Sequence, residues 1–398
     1  MKIGIDITML VYAGSGVANY TFNLVKTLLE IDKKNEYRLF YSSFRRPKNF
    51  YYLDQLKKLG GKIYDFPFPP SLLKIIWGKF NIIPIELFTG KVDVFFFSDF
   101  LRPPLLKGTK GLTTVHDLTW KLFPEYHTKD VIEAHQKKLE KTIEFGDTII
   151  VDSENTKNDL LKLYPQTKPN KINVIYPGIG NEFKPNDNKQ KLTDILKKYN
   201  TITTNHYSLS TNHYSLSTNH YSLSTNHYLL YVGAIEPRKN LTLATEVFYQ
   251  LITNNSSLSA LKFVIVGRAG WKNEDVFRSI KQLGLEDRVI FTGFVEDEDL
   301  PYLYRGARLT VYLSSYEGFG LPPIESLACG TPVIAGDNSS MRETIDKKFL
   351  VDVTDKNKIL EKMKYLLSNK TNTNSNEIQE RFDWRVSARK FLKIINDL

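Results

Sequence analysis

Two doubly wound α/β domains, joined in one chain of 398 residues, are what this sequence predicts. Three observations predict them. At roughly 100–200 residues per domain, the length leaves room for two. Short, continuously apolar runs such as LLYVG (229–233) and KFVIVG (262–267) recur in both halves, and strands buried on both faces read this way rather than as alternating patterns. Helical patterns separate those runs, which makes the connections parallel crossovers.

In order, the first half begins with KIGIDIT (2–8) as a strand, a glycine-rich loop AGSGVANY (13–20), and a helix over about 16–30. Further strands are expected at YRLFYSS (37–43), KIYDF (62–66), VDVFFF (92–97), GLTTV (111–115), DTIIVDS (147–153) and INVIY (172–176). Ser153 is placed to cap the next helix. In the second half, LLYVG is followed by a helix at 241–253. KFVIVG precedes a helix at 274–283, and RVIFTG (288–293) one at 297–305. RLTVYLSS (308–315) leads into a short helix at 322–329, and PVIAG (332–336) is the last expected strand. The expected boundaries are a first domain at 1–176, rejoined by a C-terminal helix at 382–398, and a second domain at 229–381. Residues 177–203 form a linker region, with YPGIGNEFKP (176–185) as its hinge.

Residues 204–228 belong to neither domain. They hold three full copies of TNHYSLS and part of a fourth, with four of the seven histidines: His206, His213, His220 and His227. A coiled coil would need more apolar positions per heptad and charges beside them. A metal site would need a scaffold to make the histidines converge. The segment therefore reads as an exposed insertion without a role, with some strand character, at an edge where extra chain costs little stability.

Hydrophobic residues make up 41% of the chain and aromatics 13%, enough for large cores. The single cysteine, Cys329, excludes an internal disulfide framework and reads as a small buried residue in a reducing compartment. Asp6 interrupts the first apolar run, so the N-terminus does not read as a secretion signal. No window offers about 20 apolar residues in succession, so a cytoplasmic protein is expected. The formal charge is +10, and residues 1–80 carry 13 Lys and Arg against 6 Asp and Glu. Such a face suits nucleic acid, an anionic membrane, a phosphorylated substrate, or water alone. FRRPKNFYY (44–52) and PPSLLKIIWGKFNIIP (69–84) mix cations with Trp77 and Phe80. They are expected either to rest on an anionic inner membrane surface or to pack on their own sheet.

Ligands of open parallel sheets bind beyond the carboxyl ends of the strands. In the second half those ends carry AIEPRKN with Glu236, Arg238 and Lys239, RAGWKN with Arg268 and Lys272, FVEDED beginning at Phe294, and YEGFG with Glu317, Gly318, Phe319 and Gly320. The glycines allow close backbone approach, and the helix starting near Leu321 favours an anion. With Arg238 and Lys239, that anion is expected to be a diphosphate. Glu317 and Glu325, on either side of GFGLPPI, are then suited to grip hydroxyl groups of an extended ligand rather than to act as an acid and its base. In the first half the loop with Gly14 and Gly16 fits no standard phosphate motif. His116 and Asp117, in TTVHDLTW, end a strand where a functional role and a structural one are both open.

These segments resemble the family-4 glycosyltransferases of the GT-B fold, in the bacterial mannosyltransferase-like branch. The resemblance rests on AGSGVANYTFNL, VHDL, VDSENTKNDL, VGAIEPRKNL and above all EGFGLPPIE, and it runs over nearly the whole chain outside the repeat. It implies two Rossmann-like domains facing a central cleft. It also implies retaining transfer of a hexose, mannose before others, from a nucleotide sugar to a glycan or lipid-linked acceptor of surface polysaccharide. GDP-mannose is the first choice of donor and UDP-glucose the second, with no metal and no other cofactor. Arg238 and Lys239 match the basic pair that holds the donor diphosphate. Glu317 matches the contact to the donor sugar, aided by backbone at Phe319, Gly320 and Leu321. Glu325 matches the contact to the ribose, and His116 a histidine near sugar hydroxyls. Gly14 and Gly16 match the loop over phosphate and acceptor. Gly318, Arg268 and Phe294 complete the expected donor site. Two departures stand out: Ala234 where many relatives have arginine, and Phe96 where many have histidine.

Other readings remain. Asp297-Glu298-Asp299 fits the metal-binding Asp-x-Asp of a different transferase fold, but acidic residues at a helix start need no metal. A glycogen-synthase-like glucosyltransferase or a nucleotide-sugar epimerase would keep the fold and change the reaction. A nucleic-acid-binding protein would use the basic region, which lacks any recognised motif for it; no nucleic-acid partner is expected.

Overall fold

The computed structural model describes residues 1–12, 14–44, 50–97, 100–186, 188–200, 227–270 and 272–398. Most of the TNHYSLS repeat, and residues 45–49 of the basic segment, lie outside the described residues. The chain divides into two compact units, Met1–Gly178 with Phe382–Leu398, and Ile179–Arg381.

Seven parallel strands form the first sheet: β1 (Lys2–Asp6), β2 (Glu36–Ser42), β3 (Lys62–Phe66), β4 (Val94–Phe97), β5 (Lys110–Val115), β6 (Thr148–Val151) and β7 (Ile172–Val174). Their order is β3-β2-β1-β4-β5-β6-β7, so the winding direction reverses between β1 and β4. Phe95, Phe96 and Phe97 are wholly buried in β4, which explains its unbroken apolar run. On one side, Leu24, Val25 and Leu28 of the helix Gly16–Ile31 pack with Ile3, Ile5 and Phe96. Ala388, Phe391 and Ile395 of the C-terminal helix Trp384–Asn396 join the same core. Ser153 caps the helix Glu154–Leu163, its hydroxyl accepting from the Thr156 N–H.

The second sheet holds β8 (Tyr228–Val232), β9 (Lys262–Val266), β10 (Val289–Gly293), β11 (Leu309–Tyr312), β12 (Val333–Gly336) and β13 (Leu350–Val351). Its order is β10-β9-β8-β11-β12-β13, again all parallel, with the reversal between β8 and β11. The helix Leu241–Thr253 spans the expected residues; β13, only two residues long, has no sequence signal of its own. Asp299 precedes the helix Leu300–Gly306, but its carboxylate makes no cap: it takes Lys198 at 2.6 Å and the Tyr199 hydroxyl at 2.8 Å. Cys329 is buried, and burial pushes its thiol well above the usual range.

The two alternatives for the basic segment are decided residue by residue. Trp77 does not face outward: it is 1% exposed, packed with Leu73, Ile85 and Phe97, and its indole donates to the Ile83 carbonyl at 3.0 Å. Phe80 does point to solvent, 56% exposed. No helix among the described residues is long and apolar enough to cross a membrane.

Candidate functional site

The reversal between β8 and β11 opens the second sheet at its carboxyl edge, and the loops that leave these two strands meet there. They are tied together: the Ser315 N–H donates to the Arg238 carbonyl at 2.9 Å, and the Asn240 side-chain amide to the Leu313 carbonyl at 3.0 Å. This registration brings four charged side chains together. Arg238 Nη1 lies 3.0 Å from Glu317 Oε2, and its Nε 3.1 Å from Glu236 Oε2. Lys239 Nζ lies 2.5 Å from Glu317 Oε1 and donates to the Tyr312 hydroxyl at 2.8 Å. Lys239 and Glu317 are each 6% exposed. Burial alone would raise the Glu317 carboxyl, but Lys239 and Arg238 outweigh it and hold it at about 2. The pair is ionic, with burial working against the Lys239 charge.

The loop after β11 turns into the helix Leu321–Ala328 through Gly320, whose φ is 87°. That φ is what calls for glycine; a Cβ there would also press on the movable tip of Met341. Pro322 and Pro323 occupy the second and third helical positions. They start the helix well but supply no N–H, so the anion-binding capacity of the first turn narrows to the remaining amide, that of Leu321. The loop is clamped from the next strand end. The Glu317 N–H donates to Ser339 Oγ at 2.9 Å, and Ser340 Oγ donates to the Glu317 and Phe319 carbonyls at 3.0 and 2.9 Å. Sequence reasoning missed these serines, although GDNSS follows the strand PVIAG and the strand-end rule reaches it too.

Glu325, one turn into that helix, sits in a different electrostatic setting. Burial pushes its carboxyl up to about 7, with Glu182 and Asp297 adding to the rise and a 2.8 Å hydrogen bond from the Tyr304 hydroxyl opposing it. The two glutamates of the motif are thus driven apart: Glu317 is locked as an anion among cations, and Glu325 is poised near neutrality.

Two further expected residues sit at adjacent strand ends. Arg268 enters through its backbone, its carbonyl accepting from the Ile235 N–H at 3.1 Å, with an exposed side chain. The turn before it depends on Gly267 (φ 138°), where a Cβ would lie 2.1 Å from the Gly233 carbonyl oxygen. Phe294, just beyond β10, is 58% exposed.

In the first unit, Gly14 adopts φ 76° and Ser15 caps the helix at Gly16, accepting from the Ala18 N–H. A Cβ on Gly16 would meet nothing within 4 Å. His116 follows β5, and its Nδ1 lies 2.6 Å from Asp152 Oδ2. The Tyr20 ring stands edge-on against it, with centroids 4.8 Å apart.

The family assignment follows from comparison with known proteins. Residues 14–183 match the Glycosyltransferase Family 4 model, and residues 219–386 match the Glycosyl transferases group 1 model. The chain belongs to these glycosyltransferase families and is a glycosyltransferase. Among curated relatives, O-antigen chain mannosyltransferase B of Escherichia coli is 26% identical over 365 residues, 88% of this chain and 86% of that protein. Mannosylfructose-phosphate synthase of Agrobacterium fabrum is 56% identical over 55 residues, 14% of this chain and 12% of that protein. Solved structures share the fold along the whole chain. Anabaena HepE, determined with UDP and glucose, has a TM-score of 0.70 at 15% identity, covering 100% of this chain and 99% of that one. Sucrose-phosphate synthase of Thermosynechococcus elongatus reaches 0.71 at 17% identity, covering 100% and 98%. These neighbours are GT-B glycosyltransferases, and the fold is theirs.

Proposed function

We propose that this enzyme transfers a mannosyl unit, with retained anomeric configuration, from a nucleoside diphosphate sugar to a glycan or lipid-linked acceptor of surface polysaccharide. The observation that carries the reading is the convergence of Arg238 and Lys239 on Glu317 at the switch point of the second sheet. A diphosphate competes with Glu236 and Glu317 for Arg238, and it meets the helix start at Leu321. As the sugar–phosphate bond loosens, Arg238 and Lys239 stabilise the leaving diphosphate; removing one such preorganised group costs about 10²–10³ in rate. Glu317, fixed between the two cations, is left to accept from sugar hydroxyls, and Glu325 from the ribose. No protein nucleophile is assigned; the acceptor hydroxyl attacks from the leaving-group face and passes its proton to a phosphate oxygen. No metal is required in this scheme. The mannosyl preference draws on the Escherichia coli relative's name, and the nucleoside diphosphate part of the donor, whatever its base, on the UDP bound to HepE.

The acceptor reading has one supporting surface. Beside buried Trp77, the side chains of Ile75, Phe80, Ile82 and Leu87 are 50%, 56%, 52% and 72% exposed, with Lys74 and Lys79 exposed among them. Lys141 holds the base of this segment, donating to the Trp77 carbonyl at 2.7 Å and to Asn81 at 3.2 Å. Apolar tips among lysines suit the headgroup region of an anionic membrane, where lipid-linked acceptors sit, and this supports the acceptor reading.

The test is a panel of nucleotide sugars, read by thermal shift and by transfer to a lipid-linked oligosaccharide, with the product anomer assigned by NMR. GDP-mannose raising the melting temperature and yielding the retained anomer supports the proposal. Binding without transfer to any sugar acceptor, or an Arg238→Ala enzyme with near-normal turnover, refutes it.

A further inference from the structure

We infer that Asp152 is the positioning residue for His116, deciding which imidazole nitrogen is offered to a substrate hydroxyl; the inference rests on the proposed reading of His116 as a substrate contact. Its origin is the register of the sheet. Val115 ends β5 opposite Val151, which ends β6, so the next residue of each strand leaves the sheet edge beside the other. Those residues are His116 and Asp152.

Asp152 is 5% exposed, and its Oδ2 lies 2.6 Å from His116 Nδ1. A carboxylate only accepts, so the proton of a neutral imidazole belongs on Nδ1, and Nε2 keeps its lone pair. Nε2 and Asp152 Oδ1 are both buried, and neither has a hydrogen-bond partner among the described residues. An orphaned buried polar atom costs about 1–3 kcal/mol unless something satisfies it. A sugar hydroxyl donating to Nε2 is such a partner. Burial pushes the Asp152 carboxyl up, and the adjacent His116 opposes the rise. A carboxylate is thus a costly choice for mere packing.

The ring is also gripped sterically. Tyr20 meets it edge-on at 82°, and the Tyr20 hydroxyl lies 3.3 Å from Thr114 Oγ1. Trp384 of the C-terminal helix backs Tyr20 at 5.6 Å. Tyr20 holds the plane of the ring, while Asp152 selects its tautomer. VDSENTKNDL therefore has two jobs: Ser153 caps a helix, and the residue before it aims the histidine.

The experiment uses the full chain as wild type, Asp152→Asn, Asp152→Ala, His116→Ala and the His116→Ala/Asp152→Ala double variant, each checked for folding by its melting curve. Long-range proton–nitrogen NMR is expected to find His116 of the wild type protonated at Nδ1, and Asp152→Asn to shift it toward the Nε2–H form. Asp152→Ala is expected to lower kcat/KM by about ten- to a hundredfold, by analogy with the outer partners of metal-bound histidines, and to lose nothing more in the His116→Ala background. A wild-type Nε2–H tautomer, a tautomer indifferent to Asp152→Asn, or additive losses in the double variant each overturn the inference. If no nucleotide sugar is turned over, the function fails on its own, and the NMR arm still decides the role of Asp152.

Discussion

Replacing Glu317 by glutamine is the sharpest perturbation of the second unit. It keeps the shape of the side chain and deletes the anion between Arg238 and Lys239. Lys239 is 6% exposed, and its other partner is the neutral Tyr312 hydroxyl, so its ammonium loses its counter-charge in a buried place. Breaking one side of a buried ion pair costs about 3–5 kcal/mol. The carboxyl gives an independent figure: held at about 2 against an ordinary 4.5, it contributes about 3 kcal/mol at about 1.4 kcal/mol per pH unit. For a unit of this size, each kcal/mol moves the melting temperature by about 2–4 °C, so a fall of about 6–20 °C is expected. Thermal unfolding at pH 7, followed by circular dichroism, measures it. Because the folded value lies below the unfolded one, this stabilisation is present above pH 4.5 and is lost as pH falls toward 2; the glutamine variant lacks that acid dependence. Removing both partners, as Lys239→Met with Glu317→Leu, is expected to recover much of the loss. A glutamine variant melting within 2 °C of wild type, or a double variant as unstable as the summed singles, refutes the reasoning.

Glu325 has the opposite sign. Its folded value of about 7 lies above the ordinary 4.5, so its protonated form favours folding, and stability is lost as pH rises from 4.5 through 7. Glu325→Gln should flatten that part of the stability curve in pH-resolved urea titrations and leave the protein more stable than wild type at pH 8. Gly16→Ala should leave the melting temperature unchanged or higher, since its Cβ meets nothing. Turnover should fall if a substrate approaches that backbone; a fully active variant argues against the loop's role. Gly267→Ala should destabilise by several kcal/mol, because φ 138° and the Gly233 carbonyl at 2.1 Å both oppose a side chain; a melting temperature close to wild type contradicts this. Arg102→Met should lower stability by about 3–5 kcal/mol in denaturant titrations, since Arg102 and Asp147 form a buried two-pronged pair at 2.7 and 3.0 Å; a change below 1 kcal/mol would count against it.

What could be read without coordinates was whatever the local pattern encodes. KIYDF and LTLATEVFYQLIT gave their elements to the residue, Lys62–Phe66 and Leu241–Thr253, because apolar period is short-range. The strand-end rule singled out Arg238, Lys239 and Glu317, since it needs only the order of strands and loops. Trp77 was left open between solvent and core, because an aromatic among lysines looks the same in either setting; only the packing of Leu73 and Ile85 around it decides. β13 was invisible because two residues carry no period.

The sequence alone therefore determined the α/β class, the succession of strands, and the residue types that can grip a diphosphate and hydroxyls. Tertiary structure alone decided who meets whom: that Ser340 holds the Glu317 loop, that Asp152 stands beside His116, and that two glutamates eight positions apart titrate in opposite directions. Composition and periodicity are sums over neighbours in the chain, whereas a pKa and a hydrogen bond depend on neighbours in space, which the register of distant strands sets.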